Sequence, residues 1–266
     1  MWKWEAEGQP KAVVAIVHSA YEHHRWYAWL IEKLRSAGFH VVMGDLPGHG
    51  AQAQNISYHD EDFFKYEDYV KQLIEIGLSE NLPVFVIGNG LGATVLMNVL
   101  QKKKLECAGA IFVSPWMQLK LQPGKMSNAL TSISALTSSV KLNHEITVQL
   151  MSRNYEVYDE LKDDVPHNTT VTVKWYKDLQ QLLKRLKNPE VKFLNLPVLM
   201  MTGERDQITD IQAAKNWLIQ QPLSHFQYKE WSDCQHSLYF EMEREEVYLY
   251  TKDFMNNVLR SLGYIM

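Results

Sequence analysis

The stretch Pro83-Val-Phe-Val-Ile-Gly88-Asn89-Gly90-Leu91-Gly92-Ala93 decides the fold. Its first half is a short apolar run rich in β-branched residues, the pattern of a strand buried inside a parallel sheet. Its second half places glycines at 88, 90 and 92, so the chain can turn at once from strand to helix without side-chain clashes. Helical periodicity then runs to about Lys103.

The same alternation extends in both directions. Upstream, Lys11 to His18 reads as a strand, Arg25 to Ala37 as a helix ended by Gly38, His40 to Gly44 as a strand, and Asp62 to Leu78 as a helix. Downstream come strands at Ala108 to Val113, Pro197 to Thr202 and His225 to Trp231, with helices from Asp210 and from Arg244 to Leu262. Strands alternating with helices predict a mostly parallel sheet with helices on both faces. The rhythm breaks between Pro115 and Glu190, where the chain reads as helical and Ser/Thr-rich without a convincing strand, notably at Asn128 to Leu136 and Val173 to Lys187. One insertion in a regular α/β unit predicts a core of residues 1–114 and 191–266 carrying a helical cap at 115–190.

Composition narrows the function classes. The 266 residues, 46% of them hydrophobic, suit one domain with a substantial core. A formal net charge of −4 gives no electrostatic case for a nucleic-acid partner. The apolar runs are far shorter than the ~20 residues of a transmembrane helix, and the first residues lack the apolar core of a signal peptide. The two cysteines, Cys107 and Cys234, are too few for a disulfide framework or a Cys-based zinc site. A cytoplasmic protein without cofactor or metal is expected.

Ligands of open α/β sheets bind beyond the carboxyl ends of the strands. The loops expected there carry His18-Ser-Ala-Tyr-Glu-His-His-Arg25, Gly44-Asp-Leu-Pro-Gly-His-Gly50, the Gly88 to Gly92 turn, Gly203-Glu-Arg-Asp206 and Asp233-Cys-Gln-His236. The third resembles the G-x-S-x-G nucleophile elbow of α/β hydrolases, with Gly90 in the serine's place. An acid and a histidine follow in that fold's order, Asp206 then His236. The whole chain resembles the monoacylglycerol lipase and lysophospholipase-like branch of the superfamily, whose H-G-x-x-E-H-x-x-R-Y is similar to the His18 loop and whose D-x-x-G-H-G is similar to the Asp45 loop. The resemblance implies an α/β-hydrolase fold and acyl transfer from a carboxylic ester. His236 would be the base, Asp206 its orienting acid, and the backbone N–H groups of Ala20 and Leu91 the oxyanion hole.

The departures from that pattern are specific. Gly90 has neither hydroxyl nor thiol, Asn89 replaces a histidine, Ser19 replaces a glycine of the first loop, Ala93 replaces a glycine, and Trp26 stands where arginine is usual, with Arg25 one place early. Their clustering points to natural divergence rather than a single introduced change. Loss of the nucleophile in a comparable triad costs about 10⁶-fold in kcat. Residual hydrolysis would need a water activated by His236 and Asp206 in the space Gly90 vacates. Ser19 and Cys234 are the possible substitutes, though neither stands on the elbow.

Other residues carry ordinary readings. Asp210 competes with Asp206 but suits the N-cap of the following helix. His18, Glu22, His23 and His24 invite a metal reading, yet no matching second ligand group is evident, and His49 reads as a turn residue. Val173 to Lys187 is amphipathic, fitting a packed cap helix or weak membrane-surface contact. Trp116 and Met117, with Met126 and Leu130, suit an apolar substrate pocket. Three functions follow: an impaired hydrolase retaining a small apolar or lipid-like ligand, an active lysophospholipase or esterase, or a non-catalytic interaction protein on a hydrolase scaffold.

Overall fold

The computed structural model describes residues 1–55, 57–122, 140–161 and 168–264. A seven-stranded sheet has the order β1-β3-β2-β4-β5-β8-β9. Its members are β1 (Trp2–Trp4), β2 (Ala12–Val17), β3 (Phe39–Met43), β4 (Val84–Asn89), β5 (Gly109–Val113), β8 (Val198–Gly203) and β9 (Phe226–Trp231). All neighbours are parallel except β1, which pairs antiparallel with β3 at the edge. Every residue of β2, β4, β5 and β8 is buried. That is why these strands read as continuous apolar runs rather than alternating ones.

The long helices are α1 (Ala28–Ser36), α2 (Phe63–Leu78), α3 (Gly90–Lys102), α6 (Val173–Leu186), α7 (Ile211–Ile219) and α8 (Arg244–Ser261). Helix α1 packs with α8, while α2, α3 and α6 pack with one another. The expected boundaries hold to within a few residues. One difference is at the first helix, where His24–Tyr27 form a 3₁₀ turn before α1 begins at Ala28.

The region from Pro115 to Glu190 corrects the strand-free expectation. β6 (Lys141–Asn143) and β7 (Thr170–Thr172) form an antiparallel pair with Leu142 opposite Val171, and two short helices, α4 (Val148–Met151) and α5 (Tyr155–Leu161), lie between them in sequence. Three-residue strands are too short to show a period of two. Backbone hydrogen bonds join His59 to Thr170 and Thr172, tying this pair to the loop after β3. The Thr172 hydroxyl accepts the Trp175 amide at 3.1 Å and so caps α6. Trp175, Leu179, Leu182, Leu183 and Leu186 are all buried, and the Trp175 indole donates to the Tyr66 hydroxyl of α2 at 3.1 Å. The apolar face that could have suited a membrane surface is thus packed on protein. Asn128 to Leu136, Met126 and Leu130 lie outside the described residues. Among the described residues, no helix is long and apolar enough to cross a membrane.

Candidate active site

Strand β4 ends at Asn89 and α3 begins at the next residue, with Gly90 at φ +49°. That left-handed conformation carries a steric cost for any residue with a β-carbon. The flanking glycines serve contact rather than conformation. A β-carbon on Gly92 would stand 2.2 Å from the His18 carbonyl oxygen and 2.6 Å from that of Val17. One on Gly88 would stand 2.5 Å from the Ala93 α-carbon. Only bare backbone lets the start of α3 come this close to the end of β2, and this contact brings the first loop to the turn.

Asp206 follows β8 and His236 follows β9, and the two meet. Asp206 Oδ2 lies 2.7 Å from His236 Nδ1. The other demands of the carboxylate are met by the amides of Ile208 and Thr209 on Oδ1 and by the Thr209 hydroxyl on Oδ2 at 2.7 Å. Burial would raise the Asp206 carboxyl, but the His236 imidazole and the hydrogen bonds from His236 and Thr209 outweigh it and hold the group below its usual range. On the far side of the ring, the Trp116 indole N–H donates to His236 Nε2 at 3.2 Å. An indole can only donate. Nε2 is therefore an acceptor, and Nδ1 carries the proton given to Asp206. A β-carbon on Gly90 would lie 3.1 Å from that same Nε2.

The first loop is held from several directions. His18 donates from Nδ1 to the Ser19 carbonyl at 2.6 Å and accepts the Leu46 amide on Nε2 at 2.8 Å. Burial pushes this imidazole down to about 4, so it is neutral at physiological pH and can play both roles. Glu22 Oε2 accepts the Ser19 amide at 2.9 Å and the Tyr27 hydroxyl at 2.5 Å. Burial lifts the Glu22 carboxyl to about 7, with these hydrogen bonds opposing the rise. The Ser19 hydroxyl accepts the Leu91 amide at 3.2 Å. A β-carbon on Gly90 would stand 2.0 Å from Ser19 Oγ and 2.8 Å from Ser19 Cβ. The β-carbon position beside Gly90 is therefore taken by the Ser19 hydroxyl.

Other residues singled out from sequence fall around this centre. Ala20 is buried in the same turn as Ser19. Trp116 is buried beside the centre, its indole over His236. Met117 borders an open groove of about 540 Å³ shared with Gln118, Leu119, Gln180 and Leu183. Asp210 caps α7, accepting the Gln212 amide at 3.0 Å. Cys234 turns away, its thiol donating to Glu243 and pushed up to about 12 by burial and by the acids Glu243 and Glu241. A thiol so poised is a poor nucleophile.

Among the described residues, His23, His24 and Asp45 could hold a metal ion, with ligand atoms all within 4.8 Å of one another. Asp45 Oδ1 already accepts the backbone and ring N–H groups of His24, each at 2.8 Å, which makes this a clasp between two loops. Sequence reading missed Asp45 there, because loops apart in the chain meet only through the sheet. It also missed His144, whose Nδ1 accepts the Tyr21 hydroxyl at 2.8 Å while its ring edge faces Trp116. No motif marks His144.

Comparison with known proteins gives this geometry a lineage. The family model of serine aminopeptidase S33 hydrolases matches residues 8–243. Phospholipase YtpA of Bacillus subtilis (strain 168) is 31% identical over 97% of this chain and 100% of its own length. The human monoglyceride lipase is 24% identical over 79% of this chain and 70% of its own. Among solved structures, the Paleococcus ferrophilus monoacylglycerol lipase superposes with a TM-score of 0.79 at 20% identity, covering 97% of this chain and 98% of that one. A soluble variant of the Saccharomyces cerevisiae monoglyceride lipase, bound to a substrate analog, gives 0.81 at 19%, covering 96% and 90%. A parallel sheet turning sharply into α3, with an acid and a histidine delivered from its last two strands, is the α/β-hydrolase fold, and this chain belongs to the serine aminopeptidase S33 family.

Proposed function

We propose that this protein is a carboxylic-ester hydrolase of the monoglyceride lipase and lysophospholipase type in which Gly90 has taken the elbow serine's place. It keeps the acid–base pair and a lipid-like ligand, while acyl transfer from the elbow itself is lost. Asp206 and His236 take the roles of acid and base, Leu91 and Ala20 offer oxyanion amides, and residues 115–190 act as the cap. The carrying observation is the aim of His236: its Nε2 faces Gly90, in the proton-accepting tautomer, with Asp206 fixed behind it. A merely structural histidine has no need of a buried carboxylate fixing one nitrogen while the other is turned toward the elbow. Preference for an apolar acyl group follows from the relatives, a phospholipase and monoglyceride lipases.

The test is hydrolysis of p-nitrophenyl butyrate and of a monoacylglycerol by the full chain and by His236→Ala. Turnover should be slow, far below that of an intact triad, yet at least tenfold faster than in the variant. Equal rates would remove the catalytic reading and leave a hydrolase scaffold used for interaction.

A further inference from the structure

Two departures from the family pattern are one event when viewed in space. Glycine is usual in the first loop and serine at the elbow; this chain has Ser19 and Gly90. Ser19 Oγ lies 2.0 Å from where the β-carbon of residue 90 would stand. The hydroxyl has not left the site but reaches it from the neighbouring loop.

We propose that Ser19 is the nucleophile of this site, presented from the oxyanion loop in place of the elbow. The inference rests on the ester-hydrolase reading above. Ser19 Oγ and His236 Nε2 flank the same point, the β-carbon position of residue 90, at 2.0 Å and 3.1 Å. The hydroxyl also meets the Leu91 amide, which directly follows the elbow residue. Its backbone is fixed at both ends, the amide by Glu22 and the carbonyl by His18, and the Leu91 amide holds its hydroxyl, so the loop is set before substrate arrives. Such preorganisation is what a nucleophile requires. Trp116 occupies His236 Nε2 in this closed arrangement, where Ser19 and His236 are each only 3% exposed. Admission of an ester therefore displaces the indole and frees the base.

Ser19 Oγ bonds to the ester carbonyl carbon while its proton passes to His236 Nε2. The tetrahedral intermediate collapses, the bond to the alcohol oxygen breaks, and His236 returns the proton to the departing alcohol. Water, deprotonated by His236, attacks the Ser19 acyl ester. The carboxylic acid leaves and the Ser19 hydroxyl is restored.

A fluorophosphonate probe on the full chain, followed by peptide mass mapping, tests this directly. The adduct is expected on Ser19, slowed at least tenfold in His236→Ala, and p-nitrophenyl butyrate turnover is expected to fall about 100-fold in Ser19→Ala. If turnover depends on His236 but is unchanged or raised in Ser19→Ala, and no adduct forms on Ser19, the hydroxyl only plugs the site. That result overturns this proposal and leaves the ester-hydrolase reading standing. If His236→Ala matches the unaltered protein in turnover, the underlying reading falls instead. Because the adduct is sought on the unaltered chain, a poorly folded variant cannot mask the answer.

Discussion

At the scale of single residues, positions 19 and 90 act as a pair. Placing serine at the elbow alone puts a β-carbon 2.0 Å from Ser19 Oγ and 2.8 Å from Ser19 Cβ, so the loop must shift. Gly90→Ser alone is expected to leave ester hydrolysis within about tenfold of the unaltered protein and to lower stability by roughly 1–3 kcal/mol. The double change Ser19→Gly with Gly90→Ser relieves the crowding, and turnover is expected to rise at least 10³-fold, since an intact triad gains far more than that. Steady-state assays and thermal melts on the three variants check both statements. The elbow, Asp206 and His236 were legible in the sequence because each follows a recognisable strand. The position of the Ser19 hydroxyl was not, because it depends on how closely two loops approach, and residue order carries no distances.

At the scale of elements, the site depends on the contact between the start of α3 and the end of β2. Gly92→Ala puts a methyl 2.2 Å from a carbonyl oxygen of β2's own continuation, where backbone cannot yield as a side chain could. The variant should lose roughly 2 kcal/mol or more of unfolding free energy in denaturant titrations, and the Ser19 adduct should fall with it, because the loop is displaced. Gly8→Ala, where a β-carbon meets nothing within 4 Å, is the comparison; its left-handed φ of +80° makes it a test of backbone strain without crowding. Fully buried strands such as β4 and β8 were evident as apolar runs. The pair β6 and β7 was not, being three residues long in each strand and joined across a wide sequence gap. Edge strand β1 was missed for the same reason of length, its Trp2–Trp4 only partly covered.

At the scale of the whole molecule, buried imidazoles set the response to acid. Burial lowers His18 and His144 to about 4 and His49 well below its usual value. Below about pH 6.5 the unfolded chain takes up protons that these folded groups refuse, so stability is full above that pH and falls as pH drops toward 4. Glu22 acts in the opposite sense. Lifted to about 7, it holds a proton in the folded state between about 4.5 and 7 and offsets one of the three. The net expectation is a lower Tm at pH 5 than at pH 7. His144→Gln, able to accept from Tyr21 and donate to the Leu121 carbonyl as the imidazole does, should flatten that dependence. Calorimetry across the pH range reads both. Composition had shown only that a large core exists; which polar rings lie inside it is a property of the assembled sheet and loops.

On the proposed reading, in which Gly90 stands in a serine's place, the crowding between Ser19 and residue 90 also couples the two positions over evolution. A chain moving between glycine at 19 with serine at 90 and the present arrangement must pass, one substitution at a time, through two serines or two glycines. The first intermediate jams the loop against the elbow; the second has no hydroxyl at all. Each intermediate therefore carries a cost, crowding in the first and a missing hydroxyl in the second, so the two positions are expected to change together. Relatives that differ at one of these sites are expected to differ at both.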